Sequence, residues 1–247
     1  MKKLILSLLL IGAIGAIQAQ KTIDDQFHAW TVVQGNHHLN NKFDLHTEYQ
    51  FRRSNGYADW QQSLLRVGLD YKLNPQLTLT AGYAWVLSFP YGTQPILNNT
   101  DESRIWEQVN LKQNFGPIQI QHRYRLEQRW IEQFAQQNGQ INQLDNVFRQ
   151  RFRYRAPALI PLTKKGMVNN TPFLNVNDEV FLGFGKGIGK NVLDQNRFIA
   201  AFGWRFNQDF NIQIGYLNQF VIKSDGLRME RNHTLWTSIV YNLNFNK

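Results

Sequence analysis

The 247-residue chain contains no cysteine. That excludes a disulfide scaffold, a thiolate nucleophile, a cysteine zinc site and a lipid-modified N-terminal cysteine. Seven prolines and 17 glycines are too few for long disordered or collagen-like stretches. Repeated apolar runs of about 20 residues are missing and mean hydropathy is −0.44, which excludes a polytopic helical membrane protein. There is no phosphate-binding glycine loop either, since Gly183–Gly189 follows a strand pattern and leads into no helix. What remains is aromatic and basic: 13% aromatic residues, and 27 Lys+Arg against 18 Asp+Glu for a net charge of +9.

Lys2 and Lys3 precede an apolar run from Leu4 to Ile17, and Gln18-Ala19-Gln20 closes it. Positive charge, a short apolar stretch and a small exit residue describe a secretory signal peptide cleaved after Ala19. The run is short for a membrane span. Residues 20–247 show no linker or composition shift, so they read as one domain.

The rest of the chain alternates with period two. Phe43, Leu45, Thr47, Tyr49 and Phe51 share one face, and Lys42, Asp44, His46, Glu48 and Gln50 the other. The same holds for Leu65–Leu73, Leu77–Leu87, Ile118–Trp130, Phe148–Ala156, Leu174–Phe184, Phe198–Phe206, Phe210–Ile222 and Leu235–Phe245, with weaker rows at Phe27–Gln34 and Ile105–Leu111. Phe202 belongs to an apolar row and Ala201 to the opposite one. About eleven strands result, many near the 10-residue length that crosses a bilayer. The expected fold is all-β: a transmembrane antiparallel up-and-down β-barrel of ten to twelve strands. Twelve is favoured because bacterial single-chain barrels have even counts. An odd count would make the first and last strands run the same way. Pro157–Pro172 is the stretch where a strand would be missed or split; the alternative is an N-terminal segment that enters the barrel.

Short turns at Asn74-Pro75-Gln76, Gly116-Pro117 and Asn207-Gln208-Asp209 alternate with longer connections near Ser54–Asp59, Phe89–Glu102, Glu132–Leu144, Gly185–Leu193 and Lys223–Glu230. Short turns should face the periplasm. Trp60, Trp85, Trp106, Trp130 and Trp236 then fall toward the long-loop end as an outer aromatic girdle; Tyr71, Phe115, Phe206, Phe210 and Tyr241 form the periplasmic one. The ending Tyr241-Asn242-Leu243-Asn244-Phe245 is similar to the signal read by outer-membrane assembly machinery. Expected partners are that machinery and outer-membrane lipid, and the expected location is the outer membrane of a Gram-negative bacterium.

The polar face carries one unusual wall. Arg123, Arg125, Glu127 and Arg129 share a face with Gln119 and Gln121, and Arg149, Arg151, Arg153 and Arg155 share a face on the next strand. Arginines two apart on a strand lie about 7 Å from each other. Their repulsion is about 0.6 kcal/mol per pair in water and about 2.4 at an effective dielectric of 20. Such a lumen is hydrated, occupied by an anion, or countered by acids such as Glu127, Glu179, Glu107 or loop carboxylates. Two readings stay open: an anion-preferring, porin-like passage for small anions, or an ion-pair network filling a narrow barrel. Nucleic acid is a poor partner for an inward-facing basic wall. None of His28, His37, His38, His46, His122 and His233 sits in a defensible Ser/His spacing, and His37-His38 falls in a loop. The chain is therefore expected to be non-enzymatic, with no cofactor and no metal; an outer-membrane lipid or peptide hydrolase is the alternative.

Asn177-Asp178-Glu179-Val180-Phe181-Leu182, Asp194-Gln195-Asn196-Arg197 and Gly215-Tyr216-Leu217-Asn218-Gln219 resemble a family of Gram-negative outer-membrane barrels known as domain of unknown function 2490. So do Tyr71-Lys72-Leu73-Asn74, His122-Arg123-Tyr124-Arg125-Leu126-Glu127 and Arg151-Phe152-Arg153-Tyr154-Arg155. The resemblance implies an outer-membrane barrel and brings no activity, substrate or catalytic residue. Asp178 falls on the apolar face, unless a bulge shifts the phase toward a neighbouring arginine.

Overall fold

The computed structural model describes residues 22–93, 95–186 and 188–245. The expected signal peptide lies outside them. Every regular element among the described residues is a strand: β1 (Thr22–His38), β2 (Phe43–Ser54), β3 (Asp59–Lys72), β4 (Leu77–Ser88), β5 (Thr100–Phe115), β6 (Ile118–Gln137), β7 (Gln140–Arg155), β8 (Ala158–Pro161), β9 (Thr171–Phe184), β10 (Leu193–Arg205), β11 (Phe210–Ile222) and β12 (Arg228–Tyr241). They form one sheet closed into a barrel.

The twelve strands occupy eleven positions in the ring. β8 continues the course of β7 beyond Ala156-Pro157 and pairs with the same two neighbours, β6 and β9. Proline has no N–H to give the ladder, so one strand position is split there. The split falls in the stretch where the sequence was hardest to parse. Eleven alternating positions leave β1 and β12 running the same way. The barrel accepts this: β1 and β12 pair in parallel from Thr22↔Arg228 to Gln34↔Val240, while every other ladder is antiparallel. Neither the even count nor an N-terminal entry into the barrel is needed. At the foot of the seam the backbones come very close: a Cβ on Gly35 would lie 2.0 Å from the Tyr241 carbonyl oxygen.

The alternation is observed as inferred. Leu65, Val67 and Leu69 face outward, as do Phe198, Phe202 and Trp204, while Leu64, Arg66, Asp70, Ile199 and Ala201 are buried inside. Three details differ. Glu132–Leu144 is not a loop but the tip of a β-hairpin, because Asn138 (φ 52°) and Gly139 (φ 79°) make a two-residue turn of the kind that matches strand twist. His37 and His38 end β1 rather than lie in a loop. Trp106 and Trp236 point inward, 0% and 6% exposed, so only Trp60, Trp85 and Trp130 of the expected outer girdle face out.

Candidate functional site

The Arg wall assembles as read. β6 and β7 pair with Arg123 opposite Arg155, Arg125 opposite Arg153, Glu127 opposite Arg151 and Arg129 opposite Arg149. Like charges directly opposite destabilise a sheet, so carboxylates must enter from elsewhere. Glu127, fully buried, accepts from Arg151 Nη2 and Arg153 Nη1, both at 2.7 Å, with Arg66 Nη2 at 3.7 Å. Glu179 on β9 accepts from Arg153 at 2.7 Å and Arg123 at 2.5 Å. Both expected counter-charges are thus used. Glu107, also considered, faces outward and takes Gln128 instead. Its place is filled by Glu102, which holds Arg104 and Arg129 at 2.5 Å each, and by Asp194, 2.8 Å from Arg151. On the neighbouring strands Glu48 pairs with Arg66, and Asp44 with Lys72.

Aromatic rings fill the space between the ions. Trp106 projects from β5 onto paired glycines of β3 and β4, since a Cβ on Gly68 or Gly82 would lie 2.8 Å from its Cζ2. Arg125 packs 4.6 Å from the Trp106 ring centroid and donates twice to Gln108. Phe181 underlies Arg153, Arg197 and Arg151 at 4.4, 4.7 and 5.1 Å. The opposite inner wall is apolar, built from Trp30, Val32, Ile199, Ala201, Leu217 and Trp236. The interior is therefore uneven: the ion pairs concentrate over β2–β9, while β1 and β10–β12 combine this apolar cluster with buried polar residues such as Gln213, Gln219, Glu230 and Asn232.

Cavities remain between these side chains. One of about 340 Å³ lies at the long-loop end. Another, about 40 Å³ among Arg123, Arg155, Glu179 and Trp236, has room for about three waters. The connection from β4 to β5 folds over the rim. Tyr91 on it donates to Glu230 Oε2 at 2.9 Å, stands edge-on to His28, and Thr93 bonds Asp24 at 2.5 Å. Burial, first, and the charge of Glu230 push the Tyr91 hydroxyl well above its ordinary pKa, so it stays a donor.

The histidines are dispersed. His37 meets Thr47, His38 meets Asp44, and His46 meets Asn36. His122 faces outward, stacked on Tyr154 and bonded to its hydroxyl at 2.7 Å. His233 lies between the Tyr216 hydroxyl (2.5 Å) and Asp25 (3.4 Å), but Asp25 is already held by Arg231. Among the described residues no serine hydroxyl is bonded to a histidine, and no group of three His, Asp or Glu could hold a metal ion. Asp178 stays on the outward face with no shift of phase; its partner is Asn196 at 2.9 Å, not an arginine.

Arg52, Arg66, Arg104, Arg197 and Glu102 also line the interior, and none was singled out as part of the charged wall. Their signal was present. Arg52 is in phase with Glu48, and Arg197 is out of phase with Phe198. On β5 the inward Trp106 disguised which row was which.

A family model described as protein of unknown function (DUF2490) matches residues 27–230. Over 192 residues the chain is 29% identical to an uncharacterized protein of Methylorubrum extorquens, a match covering 76% of this chain and 75% of that protein. No solved structure matches the chain.

Proposed function

The chain belongs to the DUF2490 family of proteins of unknown function, and from that premise we propose that it is a non-enzymatic outer-membrane β-barrel of a Gram-negative bacterium whose lumen is closed. One observation carries the membrane reading: burial is inverted. Leu65, Val67, Leu69, Phe198, Phe202 and Ile214 are exposed, while Glu48, Arg66, Arg125 and Glu127 are buried. Water-soluble domains bury the first class and expose the second. A bilayer reverses that preference for a barrel's outer face. Strands of mostly 12–17 residues suffice to cross it. Trp60, Trp85 and Trp130 toward one end, with Phe115, Phe206 and Tyr241 toward the other, fit the two interfaces.

Closure rests on the Glu127 hub, on Trp106 lying across Gly68 and Gly82, and on the apolar inner wall. Small barrels are commonly filled by side chains in this way. Of the two lumen readings, an ion-pair filling is therefore favoured over a diffusion channel, and the role is structural or ligand-receiving. Lipid and the outer-membrane assembly machinery are its partners.

Fractionation should place the mature chain in the outer membrane, with heat-modifiable gel mobility. Recovery as a soluble periplasmic protein would sink the location. In planar bilayers the protein should show no steady conductance, and stable ohmic steps would overturn the closed lumen.

A further inference from the structure

The 340 Å³ cavity at the long-loop end has the size of a small-metabolite pocket. Three of the arginines that line it, Arg52, Arg149 and Arg197, have no carboxylate within 4.0 Å among the described residues. Among the described residues Arg52, nine-tenths buried, bonds only Gln50 and Gln62. Arg197 donates to Gln195 at 3.1 Å and, with the Gln219 amide turned to present its oxygen, to Gln219 at 3.1 and 3.2 Å, neutral partners both. Arg149 has no hydrogen-bond partner among the described residues, and its Nε is buried without an acceptor.

Their acidic neighbours are already engaged. Glu102 serves Arg104 and Arg129, Asp194 serves Arg151, and Glu230 serves Lys223 and Tyr91. In place of anions these guanidiniums meet neutral amides and lean on rings: Arg52 is 4.2 Å and Arg197 5.1 Å from the Trp30 centroid. A ring quadrupole attracts a cation but leaves its charge in place. Converging guanidinium forks without counter-charges are what carboxylate and phosphate recognition requires.

We infer that this cavity is a binding site for a compact anion carrying two or three negative charges on carboxylate or phosphate groups, held by Arg52, Arg149 and Arg197. The ligand enters from the long-loop end, under the connection that bears Tyr91, and goes no further, because Arg66, Glu127 and Trp106 fill the interior beyond. The last point rests on the closed-lumen reading. The site itself does not, so conductance and binding fail separately.

The test is isothermal titration of the full mature chain in detergent at low ionic strength, with citrate, pyrophosphate and neutral sucrose as probes. Citrate or pyrophosphate should bind saturably at one site, and sucrose should not. Tighter citrate assigns a carboxylate ligand, tighter pyrophosphate a phosphate one. Arg149→Gln removes no ion pair and should keep the parental heat-modifiable mobility while weakening binding about tenfold or more. Arg52→Gln should do the same, and added NaCl should weaken binding further. Absence of saturable heat with both anions on folded protein overturns the site. So does binding that is unchanged in folded Arg149→Gln and Arg52→Gln.

Discussion

Residues inside this barrel fall into two energetic classes, and substitution separates them. Glu127 is fully buried and faces three guanidiniums. Removing one partner of a buried ion pair strands the rest, at about 3–5 kcal/mol. Glu127→Gln should therefore lower the unfolding free energy in detergent by about that amount. Arg149→Gln should change it by no more than about 0.5 kcal/mol, since Arg149 holds no carboxylate. Equal losses at both positions would mean that the network is not what closes the lumen. The same contrast bears on the wall itself: Arg151→Gln with Arg153→Gln should destabilise, because Glu127 then loses both its close donors and Glu179 keeps only Arg123. A gain in stability would mean that repulsion dominates and that the wall is wet.

Strands were the most legible elements. Phe202 and Ala201 show why: a period of two needs only the residue types on each side, and Phe202 is 45% exposed while Ala201 is buried. Phe202→Arg should destabilise by about 2–4 kcal/mol if it sits near the bilayer midplane, measured by denaturant unfolding in lipid vesicles. Ala201 is less permissive than alternation alone suggests. It packs beside Ile199 and Leu217 on the apolar inner wall, against Gly215, and has no polar partner there. What the alternation could not show is depth and pairing. Trp106 and Trp236 have the composition of interface residues but the phase of interior ones, and for Trp106 the weak row on β5 hid that phase. The Arg wall was legible because its residues lie on consecutive strands. Arg52 and Arg197 were missed as members of one site because the ring must close before β2 and β10 face each other. The pairing of β6 with β7 was legible, but the tip of their hairpin was not, because the polar run Glu132–Leu144 has the composition of a loop and conceals the Asn138-Gly139 turn. Beyond Ile131 and Val147 the two strands pair only with each other. Replacing residues 134–143 by a two-residue Asn-Gly turn should leave heat-modifiable folding intact, and loss of the folded band would show that the tip contributes to the barrel.

For the molecule as a whole, the odd ring is the feature with the widest reach. Gly35 marks how tightly its seam is drawn, and Gly35→Ala should destabilise by about 1–3 kcal/mol, because the obstacle is the backbone oxygen of Tyr241 and not a movable side chain. Parental thermal stability of that variant would show that the seam can widen freely. The seam joins the two ends of the sequence: Asp25 and Arg231, bonded across it, are 206 residues apart. All the other ladders can zip hairpin by hairpin, but this one must wait for nearly the whole chain. Contacts of such sequence separation form slowly, since loop-closure entropy is lost before any bond rewards it. Until that moment the nascent sheet has two open borders, β1 and β12, each a row of unsatisfied amides able to capture a foreign strand. Both run in the same direction, so any strand that pairs antiparallel with one border would pair antiparallel with the other, whereas in the closed ring the two borders meet in parallel.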